Sequence, residues 1–244
     1  MKKVSRFLAL PLFALLLLHT ASAQTALNPR FIGNDGAMRI YDMYDDAGNR
    51  IKTASEMGVT GSPMLHNGWA TGVVRCRDGK IFADTAMNFS LVEKKLYYAQ
   101  QNRLFQIVLP VKEFALHFDN ENGDSTVYLF RNGFPVIDEN DANSLYQVLF
   151  EGDNMQLLQW NHKKVREIFN YGSGSEKVFE LVQQLYVYFP KENMMTAVKP
   201  AIPAIKKTLP AYTQGIEAYF STHKLNAKDK EQMIDLVAYL DKHR

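Results

Sequence analysis

Cys76 is the only cysteine in the chain, and its thiol is the first group to weigh for chemistry. A nucleophilic or redox thiol needs a depressed pKa, and Arg75 and Arg77 stand on either side of it. In a strand, however, immediate neighbours point to the opposite face, so the spacing predicts a buried structural thiol. One thiol also closes no internal disulfide, which leaves the fold to rest on its apolar core. His117 and Asp119 stand two apart on one face of a predicted strand, with Asp124 just past a turn. Such ligands can converge on a metal, but the same pattern describes a solvated hairpin end. Asp119-Asn120-Glu121-Asn122-Gly123 is similar to the start of a calcium loop, yet Phe130 stands where the bidentate Glu belongs. Asp138, Glu139 and Asp141 form an acidic run of the residue type that glycan hydrolysis uses. That reaction needs carboxylates facing each other across a cleft, and adjacent ones on a polar loop are ordinarily hydrated.

The familiar nucleotide and hydrolase motifs are excluded residue by residue. Gly79-Lys80 is followed by Ile81, and Val74 rather than Gly precedes Gly79 by five, so no phosphate-cradling loop forms. Gly172-Ser173-Gly174-Ser175 reads as a turn, not as a nucleophile elbow. No His pair has ligand spacing. The sequence therefore nominates no catalytic, cofactor-binding or metal-binding residue. Aromatic residues make up 12% of the chain, enough to line a lipid or glycan site. Tyr186 and Tyr188 share a predicted face with Glu180 and Gln184, and Tyr97, Tyr98 and Trp160 can extend it. The competing reading is ordinary cross-strand pairing and core.

Elements that would position these groups follow from periodicity. Strands are predicted at 38–44, 71–77, 80–85, 88–99, 103–118, 125–131, 145–150, 155–160 and 177–189. Asp78-Gly79 suits a type I′ hairpin turn. Pro110 predicts an edge, a bulge or a break. Turns this short cannot hold crossover helices, so pairing is expected to be antiparallel. After Pro200 the period changes. Pro200, Pro203 and Pro210 allow one short helix, and Ile216, Tyr219 and Phe220 mark a second over 213–224. The third, over 226–243, carries Met233, Leu236, Val237 and Leu240 as one stripe. Asn226 is its expected cap, with Asp229 near the positive end of the dipole.

The first 23 residues look like an export signal. Lys2, Lys3 and Arg6 precede an apolar run from Phe7 to Leu18, and Ala21-Ser22-Ala23 follows. A run of about 12 residues is short of the roughly 20 that span a bilayer. Cleavage is expected between Ala23 and Gln24. Removing three cations takes Lys plus Arg from 28 to 25 against 26 acids, a mature net charge of −1. Such a chain has no electrostatic case for nucleic acid. It carries no further membrane span, and a charged C-terminal helix disfavours an outer-membrane barrel. The expected location is periplasmic or extracellular.

Gly61-Ser62-Pro63, Trp69-Ala70-Thr71-Gly72-Val73, Val111-Lys112-Glu113-Phe114 and Phe150-Glu151-Gly152 form a succession of short blocks. With the Lys-rich helical end, they resemble a group of uncharacterised exported proteins common in Bacteroidota, over roughly Gly61 to Arg244. The resemblance implies no activity, cofactor or catalytic residue. It implies possible O-glycosylation at Thr85 in Asp84-Thr85-Ala86 and at Ser125 in Asp124-Ser125-Thr126.

The expectation is an α+β fold: a curved antiparallel sheet or partial barrel of about eight to ten strands, then two or three C-terminal helices. Residues 1–23 are the signal, 24–199 the β domain, and 200–244 a helical segment packed on it. About 220 residues suffice for a core, since such a chain buries roughly 70% of its unfolded surface. The expected function is non-enzymatic binding of a protein partner or of an apolar or glycan ligand. Carriage of a lipid or other apolar molecule is the second reading. A hydrolase in which His117 or His162 meets a carboxylate from another segment is the third.

Overall fold

Alternation along the strands becomes alternation of burial in the computed structural model, which describes residues 43–44, 50–51, 58–100, 103–119, 125–171, 174–223 and 229–243. From Ala70 to Cys76 every second residue is buried, and Phe114, Leu116 and Phe118 alternate with more exposed residues. The strands are β1 (Met43–Tyr44), β2 (Arg50–Ile51), β3 (Val59–Thr60), β4 (Ala70–Cys76), β5 (Ile81–Ser90) and β6 (Lys95–Gln100). Then come β7 (Arg103–Gln106), β8 (Val111–Asp119), β9 (Ser125–Arg131), β10 (Tyr146–Glu151), β11 (Gln156–Asn170), β12 (Gly174–Phe189) and β13 (Met194–Val198). Three helices follow: α1 (Ile202–Thr208), α2 (Thr213–Thr222) and α3 (Lys230–Lys242).

One 13-stranded sheet joins them in the order β13-β12-β11-β10-β9-β8-β4-β5-β6-β7-β1-β2, with β3 added beside β12. The α+β architecture is as expected, with more strands. Two pairings are parallel, β1 with β7 and β3 with β12, and the rest are antiparallel. The polar stretch 161–170, expected to lie outside a strand, continues β11. It pairs with β12 through fifteen residues, from Gln156↔Tyr188 to Asn170↔Gly174.

Several local expectations are corrected. The run 88–99 is not one strand, because β5 ends at Ser90 and a turn over 91–94 reverses the chain into β6. Lys94 supplies the positive φ of 59° that this turn needs without any Gly. The predicted strand 103–118 is two strands, β7 and β8, with Pro110 as the break expected there. The β4–β5 turn has a positive φ at Gly79 alone, where type I′ would need it at Asp78 too. Gly79 N–H instead donates to the Cys76 carbonyl at 3.1 Å. Asp229, not Asn226, caps α3, accepting from Glu231 N–H at 3.0 Å. Residues 38–42 and 226 lie outside the described residues.

The sheet carries apolar clusters on both faces. On one, α1–α3 lay Ile205, Ile216, Tyr219, Met233, Leu236, Val237 and Leu240 over Met155, Leu157, Val187 and Val198. The predicted α3 stripe is thus the buried one. The β4–β5–β6–β8–β9 end builds a second core around Phe89, Phe114, Leu116 and Phe130. On the opposite face of β10–β12, Phe134 closes over Tyr146, Leu158 and Tyr186.

A carboxylate fastens the last helix. Asp241 accepts from Asn154 N–H and Met155 N–H, both at 2.7 Å, and its carbonyl accepts from Asn154 Nδ2 at 2.9 Å. Gly152 makes room for it, since a Cβ there would lie 2.5 Å from the carboxylate. Asp241→Ala should cost about 2–3 kcal/mol by denaturant unfolding, as it strips a charged acceptor from two N–H groups. Asp241→Asn, which keeps an acceptor, should cost less.

Candidate functional site

A bulge in β5 shapes a cavity beside it. Gly72 pairs with Thr85 while Val74 pairs with Phe82, so two β5 residues oppose Val73. In a regular strand Phe82 and Thr85 would face opposite ways. The extra residue brings Phe82, Thr85 and Met87 to one face. Tyr98 of β6 pairs with Met87 and adds to that wall. The segment leaving β7 folds over it: Ile107 N–H donates to the Leu96 carbonyl at 2.8 Å, extending the ladder before the chain turns at Pro110. The resulting cavity holds about 430 Å³ and is lined by Phe82, Thr85, Met87, Tyr98, Gln106, Ile107, Val108 and Leu109. Exposure separates mouth from floor: Val108 is 61% exposed and Phe82 39%, whereas Met87 is 1% exposed. Among the described residues, no Lys, Arg, His, Asp or Glu lines it. Chemically it can desolvate an uncharged apolar group of modest size.

The aromatic face is present but largely closed. Tyr186, Tyr188, Gln184 and Glu180 do share a face, as do Leu158, Trp160 and His162 opposite them. Phe134, from the segment between β9 and β10, packs edge-on against Tyr146 and Tyr188 at 5.6 and 5.1 Å. Tyr186 donates to Asp138 at 2.8 Å. Burial pushes the Tyr146 phenol up to about 12, with the Asp138 charge adding to the effect. Trp160 is half-buried, with the Lys94 ammonium 4.7 Å from its ring centre and the His162 ring at 4.1 Å. Tyr97 and Tyr98 lie elsewhere, Tyr97 buried and donating to Glu93, Tyr98 in the cavity wall.

The remaining candidates are placed as follows. Cys76 is buried in the β4–β8 core, where burial and the nearby Asp78 raise its pKa against the pull of Lys80. His117 and Asp119 are exposed, Asp124 lies outside the described residues, and no metal-ligand cluster occurs among the described residues. The acidic run does not form a facing pair. Asp138 holds Tyr186, and Asp141 accepts from Asn143 N–H and Ser144 Oγ, which lower its pKa. Neither His117 nor His162 bonds to a carboxylate among the described residues. Burial first, then Lys94 and Lys164, depress the His162 pKa. Thr85 is half-buried in the cavity wall and donates to the Ala83 carbonyl at 3.1 Å, whereas Ser125 is exposed at the start of β9. The cleavage site Ala23–Gln24 lies outside the described residues. No described helix is long and apolar enough to cross a membrane.

Sequence reasoning missed the cavity. Its one usable signal is the Gln106–Leu109 run before Pro110, apolar beyond what a four-residue strand end requires. Comparison with protein-family models, curated proteins and solved structures finds no match.

Two outcomes follow. Cys76 should resist maleimide in the folded protein and react as the chain unfolds, so labelling should track the unfolded fraction. His162 holds its proton less tightly in the fold than in the open chain, so it contributes stability above the unfolded pKa. That contribution should begin to fall near the unfolded value of about 6.5 and be lost as pH falls through the lower folded pKa. Urea midpoints of the wild type and His162→Gln between pH 7.5 and 5 should therefore converge on acidification.

Proposed function

We propose that this chain is an exported, non-enzymatic binding protein that takes an uncharged apolar ligand, or the apolar portion of a larger one, into the β5–β6–β7 cavity. The observation that carries this reading is a cavity of about 430 Å³ lined, among the described residues, by six apolar or aromatic side chains and no ionised one. That volume falls within the range of small-molecule sites, which bury most of their ligand against apolar walls with a few polar groups for orientation. Here the polar groups are Thr85 and Gln106. The alternative surface of Tyr186, Tyr188 and Trp160 supports the reading less, because Phe134, Lys94 and His162 already occupy it. Export is supported by the basic start, apolar run and Ala-Ser-Ala exit of the first 23 residues.

The test uses the mature chain from Gln24 and an uncharged fluorescent probe, N-phenyl-1-naphthylamine. Binding should raise and blue-shift its emission with one site per chain. Val108→Asp alters an exposed mouth residue and should leave thermal unfolding unchanged. It should weaken the probe at least about tenfold, because an ionised carboxylate at an apolar mouth must be desolvated. Saturating emission that Val108→Asp does not alter would place binding elsewhere.

A further inference from the structure

We infer that Met87 is an adjustable floor to this cavity and that Gly72 beneath it sets how long an apolar chain the cavity admits, an inference that rests on the binding reading above. Gly72 sits in β4 directly opposite Thr85, two pairs along from Ala70↔Met87 and so on the same face. It is buried, and its φ is not in the left-handed region, so backbone conformation does not demand glycine there. Space does. A Cβ on Gly72 would lie 2.6 Å from Met87 Sδ, 3.0 Å from Met87 Cγ and 3.1 Å from Leu116 Cδ2. Leu116 is fully buried in the core and cannot yield far. Met87 is the end of a flexible, unbranched side chain, and it lines the cavity. Its room to move therefore lies on the cavity side.

Two states follow from that geometry. With glycine at 72, the Met87 thioether settles against β4 and leaves the cavity deep. Any atom added at 72 lifts the thioether into the cavity and makes it shallow. The mouth, at Val108 and Phe82, is untouched by either change. Depth and entry are thus set by separate residues, and chain length is the property that Gly72 and Met87 select.

The experiment measures displacement of N-phenyl-1-naphthylamine from the mature protein by straight-chain 1-alkanols of six to twelve carbons. Thermal melts check that each variant is folded. Gly72→Ala should weaken the longest alcohols about tenfold, the effect of leaving about two methylenes unburied, and the shortest less than about twofold. Met87→Ala should shift preference toward longer chains, and Gly72→Ala with Met87→Ala together should regain the long-chain affinity lost in Gly72→Ala. Equal weakening at every length, or no change, in Gly72→Ala overturns the inference while probe binding to the wild type keeps the binding reading intact. If Gly72→Ala does not fold, Met87→Ala decides, an unchanged length preference overturning the floor. Failure of the wild type to bind probe or alcohols overturns the binding reading, and the floor with it.

Discussion

The β11–β12 ladder is the constraint from which the two packed layers follow. Fifteen consecutive pairs fix one register. In that register Leu157 pairs with Val187 on one face and Leu158 with Tyr186 on the other. Both faces must be covered, since a sheet leaves apolar groups facing both ways when neither side alternates to polar. The helices cover the first and the Phe134 segment the second. A slip of one residue would put Tyr186 beneath the helices and Val187 beneath Phe134, breaking both layers at once. The Asp241 clamp acts at the root of the same ladder, since it binds the N–H of Met155, one residue before β11.

Further along β11 the same face turns polar, and that separates the helical core from the β4–β9 core. Leu157 is followed on this face by Gln159, Asn161 and Lys163. The amides satisfy one another: Gln159 and Gln183 donate to Asn161 Oδ1 at 2.8 and 2.9 Å, and Asn161 donates to Gln147 Oε1 at 3.0 Å. Buried amides cost little when paired this way, and they are directional where leucines would not be. Lys163 continues the stripe by donating to the Ser62 and Met64 carbonyls at 2.8 and 2.6 Å. Burial lowers its pKa, and the two carbonyls stand where a carboxylate partner would. It holds the 62–64 segment across the sheet and joins chain regions about 100 residues apart by two hydrogen bonds.

The elements with simple periods were legible, and the ones set by tertiary context were not. β4, β8 and the α3 stripe follow from alternation or helical spacing, because one side of each faces a core. The turn over 91–94 escaped because Leu91 is buried and no Gly or Pro marks it; Lys94 adopts the left-handed conformation itself. Residues 161–170 escaped because their side chains are mostly polar, and a strand there is held by pairing with β12 rather than by burial. The shared face of Tyr186 and Tyr188 was read from the sequence, but Phe134, which closes over it, comes from a loop with no period. The cavity was least legible of all. It depends on a bulge whose residues, Ala83 and Asp84, carry no signal that distinguishes them from regular strand.

Where the helices and the cavity sit in strand order bears on how a ligand would act. The helices brace β10–β13, while the cavity lies at β5–β7, toward the end of the sheet formed by the short strands β7, β1 and β2. Short strands near an edge have few neighbours to lose and open at lower free energy than a braced ladder. The cavity roof, Ile107 to Leu109, joins that edge to β8 through a single ladder bond from Ile107 and the Arg77 N–H to Pro110 carbonyl bond at 2.8 Å. An apolar group filling the space beneath would add contacts between this roof and the floor at Met87, so binding and the roof's position would be coupled. The helices thus brace the end of the sheet away from the cavity, so a guest at β5–β7 would leave the β11–β12 register untouched.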